Sequence, residues 1–208
     1  MSDAFALVID GLDHLDNLSD LPKDVVRAAR IAVNDAATRG RTAMAREVLR
    51  EVNFPADYVT PRNKRLFVSK QARNNNLEAV ITARSRPTSL ARFTKESTAG
   101  RKKGGVRVEV KPGVVRVMPG AFLMRLRSGS GLTDTKHNLG LAVRTAKGKP
   151  PPGYRPTQIG KNLWLLYGPS VSQVIHSARN NGGVATDLTP DVQRMLEDEF
   201  WRQMELGK

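Results

Sequence analysis

Apolar residues between Pro22 and Val52 recur at spacings of three and four: Val26, Ala29, Val33, Ala36 and Ala43, then Val48 and Val52. That period predicts one long helix of about 45 Å, with Ser19 or Asp20 as its cap and Pro22 in its first turn. Its buried stripe is mostly alanine, which lets a neighbouring element approach closely. Gly40 interrupts it at a cost of about 1 kcal/mol relative to alanine, so a bend is possible there. Pro55 and Pro61 end the helical region.

The period then falls to two. Leu77, Ala79, Ile81 and Ala83 alternate with Glu78, Thr82 and Arg84, the pattern of a half-buried strand. Val106–Val110 alternates in the same way, Pro112-Gly113 suits the centre of a type II turn, and Val114–Met118 returns as the partner strand. Ala121–Arg127, Leu139–Arg144 and Leu163–Tyr167 are further strand candidates. Helical spacing resumes near Val171. A last helix is expected after Thr189, which would cap it, with Pro190 in the first turn and Val192, Leu196 and Phe200 on one face. The predicted fold is α+β: a long N-terminal helix and C-terminal helices packed on an antiparallel β-sheet. It reads as a single domain over residues 1–208, with long basic loops at 94–105 and 146–156. The second loop, rich in proline, reads as extended and polyproline-like.

Charge sharpens this picture. The chain carries a net charge of +14, and residues 61–116 hold 15 Lys/Arg against 3 Asp/Glu, whereas both ends are mildly acidic. So concentrated a surplus points to a polyanion, or to acidic surfaces of neighbouring copies. Arg62, Lys64, Arg65, Lys70 and Arg73 would line a helix or turn; Arg84, Arg86 and Arg92 follow, then Arg101, Lys102 and Lys103, and further on Lys147 and Lys149. Phosphate contacts need only such cations, and base stacking would need exposed aromatics, of which only Phe67 and Phe93 interleave with this charge. No helix-turn-helix, RNA-recognition or zinc-finger pattern is present.

Enzyme chemistry finds little support. The histidines His14, His137 and His176 are scattered, and between residues 62 and 161 the carboxylates are Glu78, Glu96, Glu109 and Asp134 alone. A two-metal nuclease needs several convergent carboxylates, which this region does not supply. Gly153 to Gly160-Lys161 fails as a phosphate loop, because the glycine spacing is wrong, Pro156 interrupts it and Asn162 stands where Ser/Thr is required. There is no cysteine, so disulfides and thiolate metal sites are excluded. The N-terminus lacks the basic start of a signal peptide, and no apolar run is long enough to span a membrane. No catalytic residue, metal or cofactor is expected.

Particular strings say more than composition. Ala83-Arg-Ser-Arg-Pro87 with Ser89-Leu-Ala-Arg-Phe93 resembles the central block of the minor tail protein Z (tail-completion) family of lambda-like long-tailed bacteriophages. Gly105–Gly113, Pro119–Phe122, Leu139–Arg144 and Leu166–Val171 are similar to later segments of that family, in the same order. The Leu18-to-Thr42 region, with Val33-Asn34 and Arg39-Gly-Arg41, also looks alike. The resemblance covers about residues 8–200. It implies a structural virion protein, assembled in the host cytoplasm, that finishes the head-proximal end of the tail so that a DNA-filled head can join. It implies a homo-oligomeric ring, sixfold, whose neighbours are the tail terminator, the tail tube or the head–tail connector, with DNA or the tape-measure protein within reach in the lumen. Under that reading Arg84, Arg86, Arg92, Arg101, Lys102, Lys103, Lys147 and Lys149 are candidate assembly or polyanion contacts. Tyr167 and Gly168, in the Tyr167–Ser170 segment, are candidates for a strand-to-helix corner at a subunit contact, or form a plain tight turn. The alternative reading is a non-specific nucleic-acid-binding protein that contacts DNA through the basic central region.

Overall fold

The computed structural model describes residues 5–10, 21–96, 99–101, 104–127, 132, 138–145, 149, 153–177 and 183–207. The chain is α+β, as the hydrophobic periods predict, and its contacts group into two compact units. The first comprises Met1–Val48, Asp57–Ser85 and Val171–Lys208; the second comprises Leu49–Ala56 and Arg86–Ser170.

The first unit is built on helix α1 (Lys23–Glu51), whose final turn belongs to the second unit. The backbone N–H of Val26 donates to the carbonyl of Pro22 at 3.1 Å, so Pro22 holds the cap position and does not lie inside the first turn. The capping role expected of Ser19 or Asp20 falls outside the described residues. Val26, Ala29, Val33, Ala36 and Val48 of the predicted stripe are buried on α1, joined by Ala28, Ala32, Ala37 and Met44, whereas Ala43 is half-buried. A three-stranded antiparallel sheet accompanies it, in the order β1 (Phe5–Asp10), β3 (Glu78–Ala83), β2 (Leu66–Lys70). Ala79, Ile81 and Ala83 of the central strand are fully buried, so the alternation read from the sequence is the packing face.

β2 corrects one expectation. Of the basic residues expected to line a helix or turn, Arg62 and Lys64 do so at the short 3-10 turn Pro61–Asn63 and Arg73 in the turn closed with Asn76, but Lys70 lies on a strand, because Leu66–Lys70 pairs with β3. Leu66 is fully buried, and that anchor sets the strand where lysine and arginine obscure the alternation.

Helices α2 (Val171–His176) and α3 (Gly183–Leu206) complete the unit. α3 begins before the predicted cap and carries Pro190 inside it, so Thr189 is a helical residue and not an N-cap. An interior proline forfeits one backbone hydrogen bond and crowds the preceding turn. Burial of Val192 two residues later opposes that cost and keeps the helix in place.

The second unit holds a six-stranded sheet ordered β10 (Arg155–Gly160), β11 (Leu163–Gly168), β9 (Leu139–Arg144), β8 (Ala121–Arg125), β5 (Gly100–Arg101), with β4 (Thr88–Ser89) also pairing with β11. Leu126, Ala142, Leu165 and Tyr167 form a buried cluster, with Phe122, Met124 and Ile159 packed against it. β8 ends at Arg125, two residues short of the predicted strand. β5 and the first two residues of β10 lie in segments expected to be loops. Arg155 and Pro156 pair with Tyr167 and Leu166, so the end of the proline-rich stretch is strand. β10 is the outermost strand of the sheet, where proline is tolerated because its missing N–H costs no ladder bond on the open side. Gly100 and Arg101 pair with Leu123 and Phe122 in the middle of the glycine-rich loop.

A separate two-stranded hairpin, β6 (Val106–Lys111) with β7 (Val114–Met118), follows the predicted pattern. Gly113 at its turn has φ of +76°, the value a type II turn requires at that position.

Candidate functional site

Three places in the chain gather polar, charged or exposed apolar groups, and each is described within its own unit.

The first is the end of β11. Tyr167 is buried in the core cluster of the second unit, and its hydroxyl donates to the carbonyl of Leu132 at 2.7 Å. Burial pushes its ionisation above the ordinary tyrosine range, and the positive charge of Arg86 acts in the opposite sense. Gly168 pairs with Thr88, and a β-carbon there would stand 3.1 Å from Leu90 and 3.2 Å from Phe93. The 3-10 turn Leu90–Phe93 therefore closes directly over Gly168. Both residues thus have packing duties inside one copy. Arg86 and Arg92 are half-buried, Arg92 between the buried Ala91 and Phe93. Arg101 lies on β5 and Lys149 is exposed. Lys102, Lys103 and Lys147 lie outside the described residues. Arg84 belongs to the first unit. It is half-buried after β3; its N–H donates to Arg65 at 2.9 Å and its carbonyl accepts from Ser172 at 3.0 Å. Of the predicted contacts, the fold thus brings Arg86 and Tyr167 together.

Some of the basic residues prove to be internal. Arg41 is buried on α1, its Nε donating to the Leu66 carbonyl at 3.0 Å and its Nη2 to the Val59 carbonyl. Burial lowers its affinity for the proton. Arg65 is buried too, donating to the Tyr58 carbonyl at 3.2 Å with its guanidinium 3.9 Å from the Tyr58 ring centre. A cation so placed is held by the ring's negative face. Phe93, one of the two aromatics weighed for base stacking, is core.

The second place is the hairpin. Val106 and Val108 of β6 are buried, whereas Val114, Val115 and Val117 of β7 are 43%, 57% and 53% exposed. The free edge of β6 is capped by Asn53, whose N–H donates to the Val110 carbonyl at 2.9 Å and whose side-chain amide donates to the Glu109 carbonyl at 3.1 Å. No strand pairs with the outer edge of β7 among the described residues.

The third is an open groove of about 970 Å³ in the first unit, formed by α1 and the turn joining β2 to β3. Arg30, Lys70, Arg73, Gln71, Asn74 and Asn75 line it, and no carboxylate is among its described lining residues. The wall is fixed by Asn34 of α1. Its side-chain amide donates to the Ala72 carbonyl at 3.1 Å, and its Oδ1 accepts from the Ala72 N–H at 2.8 Å. Arg73 and Asn76 exchange both backbone hydrogen bonds, at 2.7 and 3.0 Å, which closes the turn. Lys70 is paired with Glu78. Nε of Arg30 is buried and has no hydrogen-bond partner among the described residues. The sequence offered Lys70 and Arg73 but not Arg30, because nothing in a helical period says which polar face a turn distant in sequence will meet.

Among the described residues no group of three or more His, Asp or Glu stands in a metal-binding arrangement. Nδ1 of His176 lies 2.7 Å from the carbonyl of Ser172 in its own helix; His14 and His137 fall outside the described residues. No described helix is long and apolar enough to cross a membrane. Comparison of the chain with protein-family models, with curated proteins and with solved structures finds no match.

Proposed function

We propose that this chain is a structural tail-completion protein of a long-tailed bacteriophage, acting without catalysis at the head-proximal end of the tail. The reading takes its name from the ordered strings between Ala83 and Val171 that resemble the minor tail protein Z family. The structural observation that supports it is the β6–β7 hairpin. Three valines of one strand face solvent beside a strand edge that no described strand pairs with, on a hairpin whose opposite edge is capped by Asn53. Monomeric proteins cover or blunt such edges, and a contiguous exposed apolar surface marks a contact with another chain. A ring subunit needs a self-associating face of this kind, because head-to-tail contacts that close by rotation make rings. In this reading copies of the chain form a sixfold ring in the virion, against the tail terminator, tube or connector.

Electron microscopy of lysates from the parent phage, with this gene interrupted by a stop codon, tests the reading. Filled heads beside complete but unattached tails are the expected result. Normal infectious virions would overturn it. A second reading, non-specific contact with nucleic acid, is favoured by the cationic groove of the first unit.

A further inference from the structure

We infer that the groove between α1 and the β2–β3 turn binds the phosphodiester backbone of a nucleic-acid strand, with Arg30 and Arg73 as its phosphate contacts. The inference rests on the nucleic-acid reading and is independent of the tail-completion reading.

The chemistry of the lining selects the ligand. The groove is walled by cations and amides without a carboxylate among its described lining residues, so its field is positive. Asn34, Ser69 and Asn76 hold the wall, Asn76 by accepting from the Glu78 N–H of β3 at 3.0 Å, and the other polar side chains of the lining are cations or the amides of Gln71, Asn74 and Asn75. Lys70 has its counter-charge in Glu78, whereas Arg30 and Arg73 have no ion pair among the described residues. Arg30 is the more telling of the two. Its Nε is buried and has no hydrogen-bond partner among the described residues, and a buried donor without an acceptor is costly, so a turn of the guanidinium toward an acceptor in the groove is favoured. Arginine donates in a planar fork that fits the two free oxygens of a phosphate. Asn74 and Asn75 stand exposed on the same turn and have side-chain N–H groups to offer to sugar or phosphate oxygens.

Shape distinguishes a strand from a single ion. An enclosed pocket would suit one phosphate, but this groove is open, with a volume of about 970 Å³, many times what one phosphate fills. Preorganisation is also present. The Asn34–Ala72 pair and the closed Arg73–Asn76 turn hold the wall before any ligand arrives, so binding need not order the loop. Sequence-independent contact is what such a lining provides, since backbone phosphates are the same in every sequence.

The test compares the whole protein with the double substitution Arg30→Gln and Arg73→Gln in binding a fluorescent single-stranded DNA oligonucleotide across a series of salt concentrations. A charge-matched control, Arg155→Gln with Lys161→Gln, removes two exposed cations from the second unit. The groove variant should bind about tenfold more weakly and lose about 1.4 from the slope of log affinity against log salt, roughly 0.7 for each lost single-strand phosphate contact. The control should change less than about twofold, and thermal melts should show both variants folded. Equal loss in variant and control would mean diffuse charge and overturn the groove, as would a groove variant that binds like the parent protein. Displacement of the oligonucleotide by inorganic phosphate at equal phosphate concentration would overturn the strand in favour of a single ion. A parent protein that binds no DNA even at low salt would overturn the groove and the nucleic-acid reading together.

Discussion

Gly40 and Val192 mark the point where α1 and α3 touch: a β-carbon at Gly40 would lie 2.9 Å from Cγ2 of Val192. The contact is closer than carbon atoms tolerate, and valine, branched at Cβ, has little freedom to turn away. Gly40→Ala would gain about 1 kcal/mol of helix propensity but overpack a closed contact at about 1–3 kcal/mol, so a net loss of about 1 kcal/mol is expected. Chemical denaturation of the double-mutant cycle with Val192→Ala separates the two effects. In the Val192→Ala background the same substitution at Gly40 should become neutral or stabilising. A loss of equal size in both backgrounds would show that Val192 is not the obstacle.

That contact also shows what the sequence could and could not reveal. Apolar spacing in α1 and alternation in β3 are legible because one buried face imposes one period, and Ala36, Ala79 and Ile81 are all fully buried. Gly40, by contrast, reads locally as a helix weakener and a possible bend, and only Val192, far along the chain, gives it a purpose. Pro190 misleads in the same way: its local rule predicts a helix start, and packing of Val192 sustains a helix that already runs through it. Strands β2 and β10 were missed because lysine, arginine and proline hide their alternation at sheet edges. The candidate contacts suffered most. Charge counts treat all cations alike, whereas Arg41 and Arg65 are internal donors and Arg30 and Arg73 line the groove.

Arg41 should behave as a structural crosslink. It is 8% exposed and joins α1 to the carbonyls of Val59 and Leu66. Arg41→Met would leave both acceptors without that partner, at a cost of about 2 kcal/mol or more. Arg41→Lys keeps the charge but lacks the planar fork that reaches two acceptors, so an intermediate loss is expected. Urea unfolding midpoints should rank the parent first, lysine second and methionine last. Arg27→Met, at an exposed position of the same helix, should shift stability by less than about 0.5 kcal/mol. Parity between the methionine substitutions at the two sites would refute the crosslink.

Acid should expose the contribution of Glu199. The carboxylate is 3% exposed, accepts from Arg202 at 2.8 and 2.5 Å and from Gln203 at 2.7 Å, and Arg39 lies 3.9 Å away. The hydrogen bond from Arg202 is the main cause that holds its pKa down, from 4.5 to about 2, against the opposing effect of burial. A depressed carboxylate stabilises the fold above its unfolded pKa, and that stabilisation fades as pH falls through the folded value. The advantage of the parent over Glu199→Gln should therefore be full at neutral pH, decline below pH 4.5 and be largely gone near pH 2. A stability difference that stays constant through this acid range would show that the ionised form of Glu199 is not what the fold uses.

The hairpin separates folding from assembly most cleanly. Val115 and Val117 are two residues apart on β7, so they share one face, and both are more than half exposed. Substitution of each by lysine removes apolar surface that one copy does not bury, so the stability of the isolated chain should change by less than about 0.5 kcal/mol per site. In a ring, the same change would place charge into an apolar contact, and lysine on an open strand edge is a known deterrent to edge pairing. Complementation reads the difference. Phage carrying the interrupted gene should be rescued by a plasmid copy of the parent protein and not by Val115→Lys with Val117→Lys, although thermal melts show the variant folded. A second variant, Val115→Thr with Val117→Thr, keeps strand propensity without adding charge and should rescue in part. Full rescue by the lysine variant would remove the hairpin from the assembly surface, and the search for a subunit contact would move to the basic segments around Arg101 and Lys149.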